Sequence, residues 1–318
     1  MSTSCEAPAI LLIGSKQIGL RMLEVLATAP AGALAAVLTT DDRGDTRSRY
    51  ESIGTFCARH SLPLHVAQRA QDAQRAIAQV RPDLCVVAGW YWLVDSDTLA
   101  SVPLGFVGFH NSLLPRYRGG SPLVWALING EAEVGVSMFS LSPGMDDGPV
   151  WAQGSVRVDP ADQVGDLLTR LEEAAAGMLG DVLPGLLRGK VSPVHQDHSQ
   201  ATYCAQRLPC DGNVDWTRTS PSVHNFVRAQ SDPYPGAFTY LGRRRLTIWR
   251  TRPADLTYHG TPGQVARIGP EGVYVICGGS TAVVVEEVEL GGKRGDANRI
   301  ITSTRARFRP VREPRRSG

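Results

Sequence analysis

The chain has 318 residues, of which 42% are hydrophobic and 20% are charged, and its formal net charge is +2 at pH 7. This composition supports a sizeable buried core and excludes a chain that is disordered throughout. The near-neutral charge argues against a protein whose main task is to neutralise nucleic-acid phosphates.

Residues 1–190 alternate between strand-like and helix-like patterns. Short apolar runs predict strands at 9–13, 35–38, 84–88 and 106–110, and amphipathic stretches predict helices at 20–28, 50–60, 68–80 and 162–187. The predicted strands are apolar throughout rather than alternating, which is typical of a parallel sheet with helices on both faces. We therefore expect a doubly wound α/β domain over residues 1–190.

The pattern changes after residue 190. Residues 191–208 have no periodicity and are predicted to be a linker. Short β-type runs follow at 238–241, 245–250, 263–268, 272–277 and 282–287, with one helix expected at 222–228. Their spacing predicts a small antiparallel, OB-like β-barrel domain over residues 209–304. The basic, proline-containing residues 305–318 are expected to form a disordered tail.

Targeting and metal-binding signals are absent from the sequence. The longest apolar run, Cys85 to Val94, has ten residues, whereas a membrane span needs roughly 20. The short apolar stretch at 9–13 has no basic segment before it, so no secretory signal is expected. The six cysteines form no CxxC pattern and do not cluster with histidines, so we expect neither a metal site nor a disulfide framework. A reducing cytoplasm is the expected location.

A glycine loop follows the first predicted strand. Gly14 and Gly19 are separated by four residues, but the loop lacks a G-x-G-x-x-G pattern and Leu20 stands where a P-loop has lysine. We expect a tight strand-to-helix turn rather than a phosphate site.

The predicted strand at 106–110 ends on a histidine. In open α/β sheets ligands bind beyond the carboxyl ends of strands, so His110 is placed for acid–base chemistry. A second strand-like run at 136–141 leads into a turn with Asp146 and Asp147. Each side chain by itself is compatible with a purely structural role, but a histidine and a carboxylate at two strand ends of one sheet can meet.

These residues belong to a longer pattern. It comprises His110-x-Ser-Leu-Leu-Pro-x-Tyr-Arg-Gly-x-x-Pro122, Trp125-Ala, Gly130-Glu, Gly135-Val-Ser and Gly144-Met-Asp-x-Gly148, followed by similar segments at 223–229, 232–238 and 246–249. The pattern covers roughly residues 8–290 and resembles the 10-formyltetrahydrofolate-dependent formyltransferases. The C-terminal segments look most like the enzyme that formylates UDP-4-amino-4-deoxy-arabinose.

The resemblance implies an enzyme that transfers a formyl group from 10-formyltetrahydrofolate to an amine and releases tetrahydrofolate, without a metal. It implies that His110 stabilises the oxyanion and protonates the leaving nitrogen, and that Asp146 orients the histidine and takes a proton from the amine. The residues that it assigns to the pterin pocket are Trp92, Leu93, Val94, Ser112, Leu113, Leu114, Pro115, Ser142, Pro143, Gly144, Met145 and Asp146.

One position departs from the family pattern. The family has asparagine two residues before the histidine, where its amide would donate to the oxygen of the tetrahedral intermediate, and this chain has Gly108. Loss of one such donor typically lowers the rate by about 10²–10³-fold. Gly108 either removes that donor or makes room for another group. Asn111 can replace the donor only if the strand has ended before it.

The acceptor is expected to be a small molecule. The segment at 39–50 has mixed charge, whereas the tRNA-modifying relatives carry a longer, more basic insert there. A nucleotide-linked amino sugar or a secondary-metabolite or siderophore amine is therefore expected, bound near residues 232–237 in contact with Gly108, Asn111, Arg118 and Tyr234. A methionyl-tRNA formyltransferase and a folate-binding relative with weakened chemistry are the alternatives. No membrane partner is expected, and the sequence does not determine the oligomeric state.

Overall fold

A computed structural model describes residues 7–29 and 33–309, which divide into two compact units. The N-terminal unit contains residues up to 122, 133–157 and 168–204, and the C-terminal unit contains residues 123–132, 158–167 and those from 205 onwards. The domain boundaries at 190 and 209 stay a prediction. Within the described ranges, no helix has the length and apolar character needed to cross a membrane.

The secondary structure follows the predicted alternation. The strands are β1 (Ile10–Gly14), β2 (Leu34–Thr40), β3 (Leu64–Ala67), β4 (Leu84–Ala88), β5 (Phe106–His110), β6 (Arg118–Gly119), β7 (Glu133–Ser140), β8 (Val150–Arg157), β9 (Tyr203–Cys204), β10 (Ala237–Leu241), β11 (Arg244–Pro253), β12 (Val265–Gly269), β13 (Gly272–Ile276), β14 (Ala282–Leu290), β15 (Lys293–Asp296) and β16 (Phe308–Arg309). The helices are α1 (Lys16–Leu26), α2 (Tyr50–Arg59), α3 (Ala70–Val80), α4 (Ser96–Ala100), α5 (Pro122–Ile128), α6 (Val164–Leu187), α7 (Ser220–Arg228) and α8 (Ala297–Ile300).

The N-terminal unit is built on a seven-stranded sheet with the order β3-β2-β1-β4-β5-β7-β8. Strands β1 to β5 pair in parallel, whereas β7 is antiparallel to both of its neighbours. The predicted α/β class with a mostly parallel sheet is confirmed. The two edge strands of this sheet, β3 and β8, were not predicted. Strand β3 has only four residues, and β8 has half-buried and exposed side chains without a continuous apolar run.

The glycine loop serves close packing between α1 and the sheet. A Cβ on Gly14 would lie 3.0 Å from the Ala88 carbonyl oxygen and 3.1 Å from the Gly19 Cα. Helix α1 begins at Lys16, four residues before the predicted start, and contains Gly19. A glycine normally weakens a helix, but here the missing side chain lets the helix approach β1 closely.

The C-terminal unit is a curled antiparallel sheet with the strand order β12-β13-β14-β11-β10-β16, and β15 pairs with β14. A bridge between Gln264 and Arg307 links the segment before β12 to the segment before β16. Trp216, Leu246, Val285 and Phe308 are among the residues of its buried core. This architecture confirms the predicted β-barrel type, and the OB-like topology stays a prediction.

The predicted tail requires a correction. Residues 308–309 form β16 against β10, and the Phe308 ring is buried, so the ordered domain extends past residue 305. The centre of the Phe308 ring lies 5.4 Å from that of Trp216 in the barrel core. The arginines on both sides of Phe308 make the segment look like a basic tail, so the sequence did not predict this contact. Residues 310–318 lie outside the described residues.

Candidate active site

His110 ends β5 at the carboxyl edge of the sheet and its side chain is buried. Its Nε2 atom lies 2.7 Å from the carbonyl oxygen of Tyr117. A carbonyl can only accept a hydrogen bond, so Nε2 carries a proton and donates it to Tyr117. Nδ1 is therefore the ring nitrogen available for proton exchange.

Asp146 faces this second nitrogen. Its Oδ2 atom lies 3.6 Å from Nδ1 of His110, which is slightly longer than a direct hydrogen bond. The backbone N–H of Gly119 donates to the same oxygen at 2.8 Å and fixes the carboxylate. Asp146 has a φ of 49°, in the left-handed region that Asp and Asn tolerate better than most residues. The predicted pairing of His110 with Asp146 is therefore present in the geometry of the N-terminal unit.

The neighbouring Asp147 has a different partner. Its carboxylate accepts a hydrogen bond from the Ser142 hydroxyl and folds over Gly144, where a Cβ would overlap it. The glycine allows the turn to close on its own side chain. The turn therefore presents one carboxylate to His110 and uses the other to hold its own shape.

The loop after β5 is fixed from the adjacent strands. The Ser137 hydroxyl donates to the Ser112 carbonyl at 2.6 Å and accepts from the backbone N–H of Leu114 at 3.0 Å. The Gln153 amide donates to both the Ser137 hydroxyl and the Leu114 carbonyl. These bonds hold the chain that leads to the Tyr117 carbonyl, the partner of His110.

Residues 194–204, which we call the strap, pack against the same loops. The sequence predicted only a linker over 191–208, but Val194 exchanges two backbone hydrogen bonds of 2.8 Å with Val150. Residues 203–204 form β9 in parallel with β6. Gln196 is buried and donates to the carbonyl oxygens of Asp146 at 2.9 Å and Gly148 at 2.7 Å. No motif or periodicity marks this segment, so sequence patterns alone could not identify it.

Arg118 is placed differently from the prediction. Its side chain is 2% exposed, and its Nη2 atom donates to the Gln196 amide oxygen at 2.6 Å. The same nitrogen lies 3.1 Å from Nδ1 of His198. The guanidinium is buried inside the N-terminal unit, which corrects the predicted direct contact with the acceptor.

The space beside Gly108 is filled by an apolar side chain of the protein. A Cβ on Gly108 would lie 2.7 Å from Cδ2 of Leu141 and 3.4 Å from the Phe139 ring. Asn111 follows directly after the end of β5 and is half-buried, and its amide has no hydrogen-bond partner within the described ranges. The condition for Asn111 to act as a donor, that the strand has ended, is therefore met.

The residues expected at the pterin pocket lie on loops of the N-terminal unit. Trp92 packs edge-on against Trp90 with 5.0 Å between the ring centres. The Trp92, Val94 and Leu141 side chains pack against a buried apolar cluster that includes Ile13 and Val87. Leu93 is 97% exposed and Met145 is 60% exposed. Large apolar side chains exposed on such loops are suited to contact with a flat aromatic ligand.

Sequence reasoning missed a lysine at the same sheet edge. The Lys16 ammonium lies 4.1 Å from the centre of the Tyr91 ring, and the Tyr91 hydroxyl donates to Asp42 at 3.0 Å. Burial, with the nearby Arg47 charge, lowers the pKa of Lys16 to about 8. Tyr91 and Trp92 also border a cavity of about 650 Å³ whose other walls are residues 40–42, 44–45 and 67–68.

The last predicted contact residue lies in the C-terminal unit. Tyr234 is half-buried in the turn between α7 and β10, where its backbone N–H donates to the Ser231 carbonyl at 2.9 Å. Nearby, Asp232 forms an ion pair of 2.8 Å with Arg294. Contact of Tyr234 with an acceptor stays a prediction.

Two family models match the chain. The model described as "Formyl transferase" matches residues 9–183, and the model described as "Formyl transferase, C-terminal domain" matches residues 208–305. Together they cover both compact units and most of the described residues.

Solved structures share the fold at low sequence identity. HypX from Aquifex aeolicus in complex with tetrahydrofolic acid is 17% identical with a TM-score of 0.64, and the match covers 94% of this chain and 48% of that one. The chain thus spans about half the length of HypX. An N-formyltransferase from Helicobacter canadensis in complex with folinic acid and dTDP-3-aminofucose is 14% identical (TM-score 0.65), with coverage of 87% and 98%. Methionyl-tRNA formyltransferase from Clostridium thermocellum is 17% identical (TM-score 0.54), with coverage of 77% and 92%.

Proposed function

The chain belongs to the formyl transferase family, and from that membership we propose that it transfers a formyl group from 10-formyltetrahydrofolate to a primary amine of a small molecule. The observation that carries this proposal is the His110–Asp146 pair, with Nε2 anchored on a carbonyl and Nδ1 facing a carboxylate. The folate ligands named for the HypX and Helicobacter canadensis structures support the same donor.

The residues present fit a folate. Leu93 and Met145 expose large apolar side chains on two loops of the N-terminal unit, and the donor's pterin ring is flat and aromatic. The loops 92–94 and 142–146 would hold it, with 112–115 alongside. The bound folate supplies the formyl group.

The protons are handled by two side chains. The Asp146 carboxylate accepts a proton from the attacking amine and passes it across the 3.6 Å between Oδ2 and Nδ1 of His110. Nδ1 then gives this proton to the departing nitrogen, so both side chains end in the protonation state in which they began. Because Nε2 is held by Tyr117, the ring orientation is fixed before the substrate binds.

Negative charge develops on the formyl oxygen during the reaction. No amide donor is available at position 108, where Leu141 fills the space. We assign the donor role to Asn111, whose half-buried amide has no hydrogen-bond partner elsewhere in the described chain.

The charges of the N-terminal unit favour a small acceptor over tRNA. In the loop after β2, Arg43 pairs with Asp41 and Arg47 pairs with Asp45, both at 2.6 Å. Arginines that are already paired with aspartates offer little attraction to a phosphate backbone. A nucleotide-linked amino sugar or a secondary-metabolite amine is the acceptor class that we propose. The five cysteines that the structure describes are free thiols, which supports a reducing cytoplasm as its location.

The test is an acceptor screen with the purified chain and 10-formyltetrahydrofolate. The panel contains nucleotide-linked amino sugars, hydroxylated diamines and methionyl-tRNA, and mass spectrometry detects the gain of one formyl group. We expect tetrahydrofolate release that depends on one small amine. Formylation of methionyl-tRNA alone would replace the small-molecule proposal, and folate binding with no turnover on any amine would refute the enzymatic one.

A further inference from the structure

We propose that the strap aligns the catalytic pair and that Gln196 is the positioning residue through which it does so. This inference rests on the proposed function, because it assigns Gln196 to the reaction of His110 and Asp146. Sequence patterns predicted only a linker for this segment.

The orientation of the Gln196 amide is fixed by its neighbours. Arg118 can only donate hydrogen bonds, so the amide oxygen faces its Nε and Nη2 atoms at 3.2 and 2.6 Å. The carbonyls of Asp146 and Gly148 can only accept, so the amide nitrogen faces them at 2.9 and 2.7 Å. The contacts with Arg118 and with the Gly148 carbonyl are buried and the contact with the Asp146 carbonyl is partly buried, so an amide in another orientation would be left unpaired at considerable cost.

These contacts act on the turn that carries the catalytic carboxylate. Asp146 is in a left-handed backbone conformation, and its carbonyl is one of the two groups that Gln196 holds. Such a backbone conformation persists only where its surroundings hold it. Gln196 therefore fixes the direction in which the Asp146 carboxylate leaves the chain.

The strap also holds the loop that carries the partner of His110. The Thr202 hydroxyl accepts from the backbone N–H of Tyr117 at 2.8 Å, and the Thr202 carbonyl accepts from the backbone N–H of Arg118 at 2.8 Å. The Tyr117 carbonyl is the acceptor for Nε2 of His110. One segment thus ties together the two loops whose separation sets the distance between Nδ1 and Oδ2.

Replacement by an isosteric acid gives a sharp test. Gln196→Glu keeps an acceptor for Arg118 but replaces the amide donor by an oxygen that faces two carbonyl oxygens. Gln196→Met has a side chain of similar length but can make neither the contact with Arg118 nor the contacts with the two carbonyls. It is the variant to test if Gln196→Glu does not fold. The matched control is Gln200→Glu, the same change at an exposed glutamine of the same strap, whose amide only approaches Ser199 at 3.5 Å.

We expect Gln196→Glu to lower kcat by about 10²-fold with little change in the KM for the folate. The reason is that a shift of a catalytic group by about 1 Å, here the Asp146 carboxylate, is enough for such a loss. Gln200→Glu should match the parent. An unchanged kcat in folded Gln196→Glu and Gln196→Met overturns the proposal, as does a loss confined to KM.

A second readout separates this proposal from the proposed function. In protein with ¹⁵N-labelled histidine side chains, NMR reports the proton on Nε2 of His110, and the His110→Ala spectrum assigns the signal. We expect the signal to shift or broaden in Gln196→Glu and to stay in place in Gln200→Glu. If the parent shows no formyl transfer but the shift is seen, the alignment stands and the proposed reaction fails. An unshifted signal overturns the alignment whatever the activity.

Discussion

Replacement of Gly108 by asparagine tests whether the missing amide can simply be restored. A Cβ at this position lies 2.7 Å from Cδ2 of Leu141, closer than carbon atoms pack without strain. Leu141 must move, and overpacking of this kind typically costs about 1–3 kcal/mol. Asparagine also has less freedom than glycine in the unfolded chain, which offsets about 0.5–1 kcal/mol of this destabilisation. We therefore expect Gly108→Asn to lower the free energy of unfolding by about 1–2 kcal/mol and to lower kcat.

A second substitution should reverse the catalytic loss. Leu141→Ala vacates the space that the asparagine side chain needs, so the double variant can direct its amide toward the site of His110. We expect the two changes to couple favourably in stability by about 1 kcal/mol. In the double variant kcat should rise above that of Gly108→Asn and, if the amide reaches the formyl oxygen, by up to about 10²–10³-fold.

The assay is a double-mutant cycle. Chemical denaturation gives the free energy of unfolding, and steady-state kinetics on one confirmed acceptor give kcat and KM, for the parent, both single variants and the double variant. A rise in kcat for Gly108→Asn alone, with no loss of stability, would refute the reasoning, since it would show that Leu141 does not obstruct a side chain at position 108.

Four further results are expected in the N-terminal unit. His110→Ala should abolish turnover while tetrahydrofolate still binds in calorimetry, because the imidazole acts on protons that move during the reaction; a kcat near that of the parent would remove it from the mechanism. Asp146→Asn should lower kcat by orders of magnitude and Asp147→Asn far less, and the reverse order in kinetics would show that the wrong carboxylate was chosen. The pKa of about 8 predicts that acylation of Lys16, followed by peptide mass spectrometry against the other two lysines, reaches half its plateau near pH 8. Because this pKa lies below the ordinary value of 10.5, the unfolded chain binds more protons than the folded chain between about pH 8 and pH 10.5. Lys16 therefore makes the free energy of unfolding rise with pH in that interval. Lys16→Met should flatten this rise when the free energy of unfolding is measured by denaturation at several pH values.

The sequence determined the parts of this protein that depend on local pattern. Continuous apolar runs predicted β1, β4 and β5 almost to the residue. A strand that is buried on both faces is apolar at every position, so five consecutive residues are enough to mark it. The histidine at the end of β5 and the Asp146 turn were found by their spacing and by a family resemblance. The exposed edge strand β8 left no such signal.

Only the tertiary structure decided how these side chains are placed. It showed that Asp146 faces His110 whereas Asp147 turns back on Ser142, a choice that depends on backbone direction in one turn. It also showed that Leu141 occupies the space beside Gly108. Gln196 contacts Asp146 although the two residues are 50 positions apart in the sequence. Periodicity reports only which side of its own element a residue occupies, so contacts between loops distant in sequence arise only when the chain has folded.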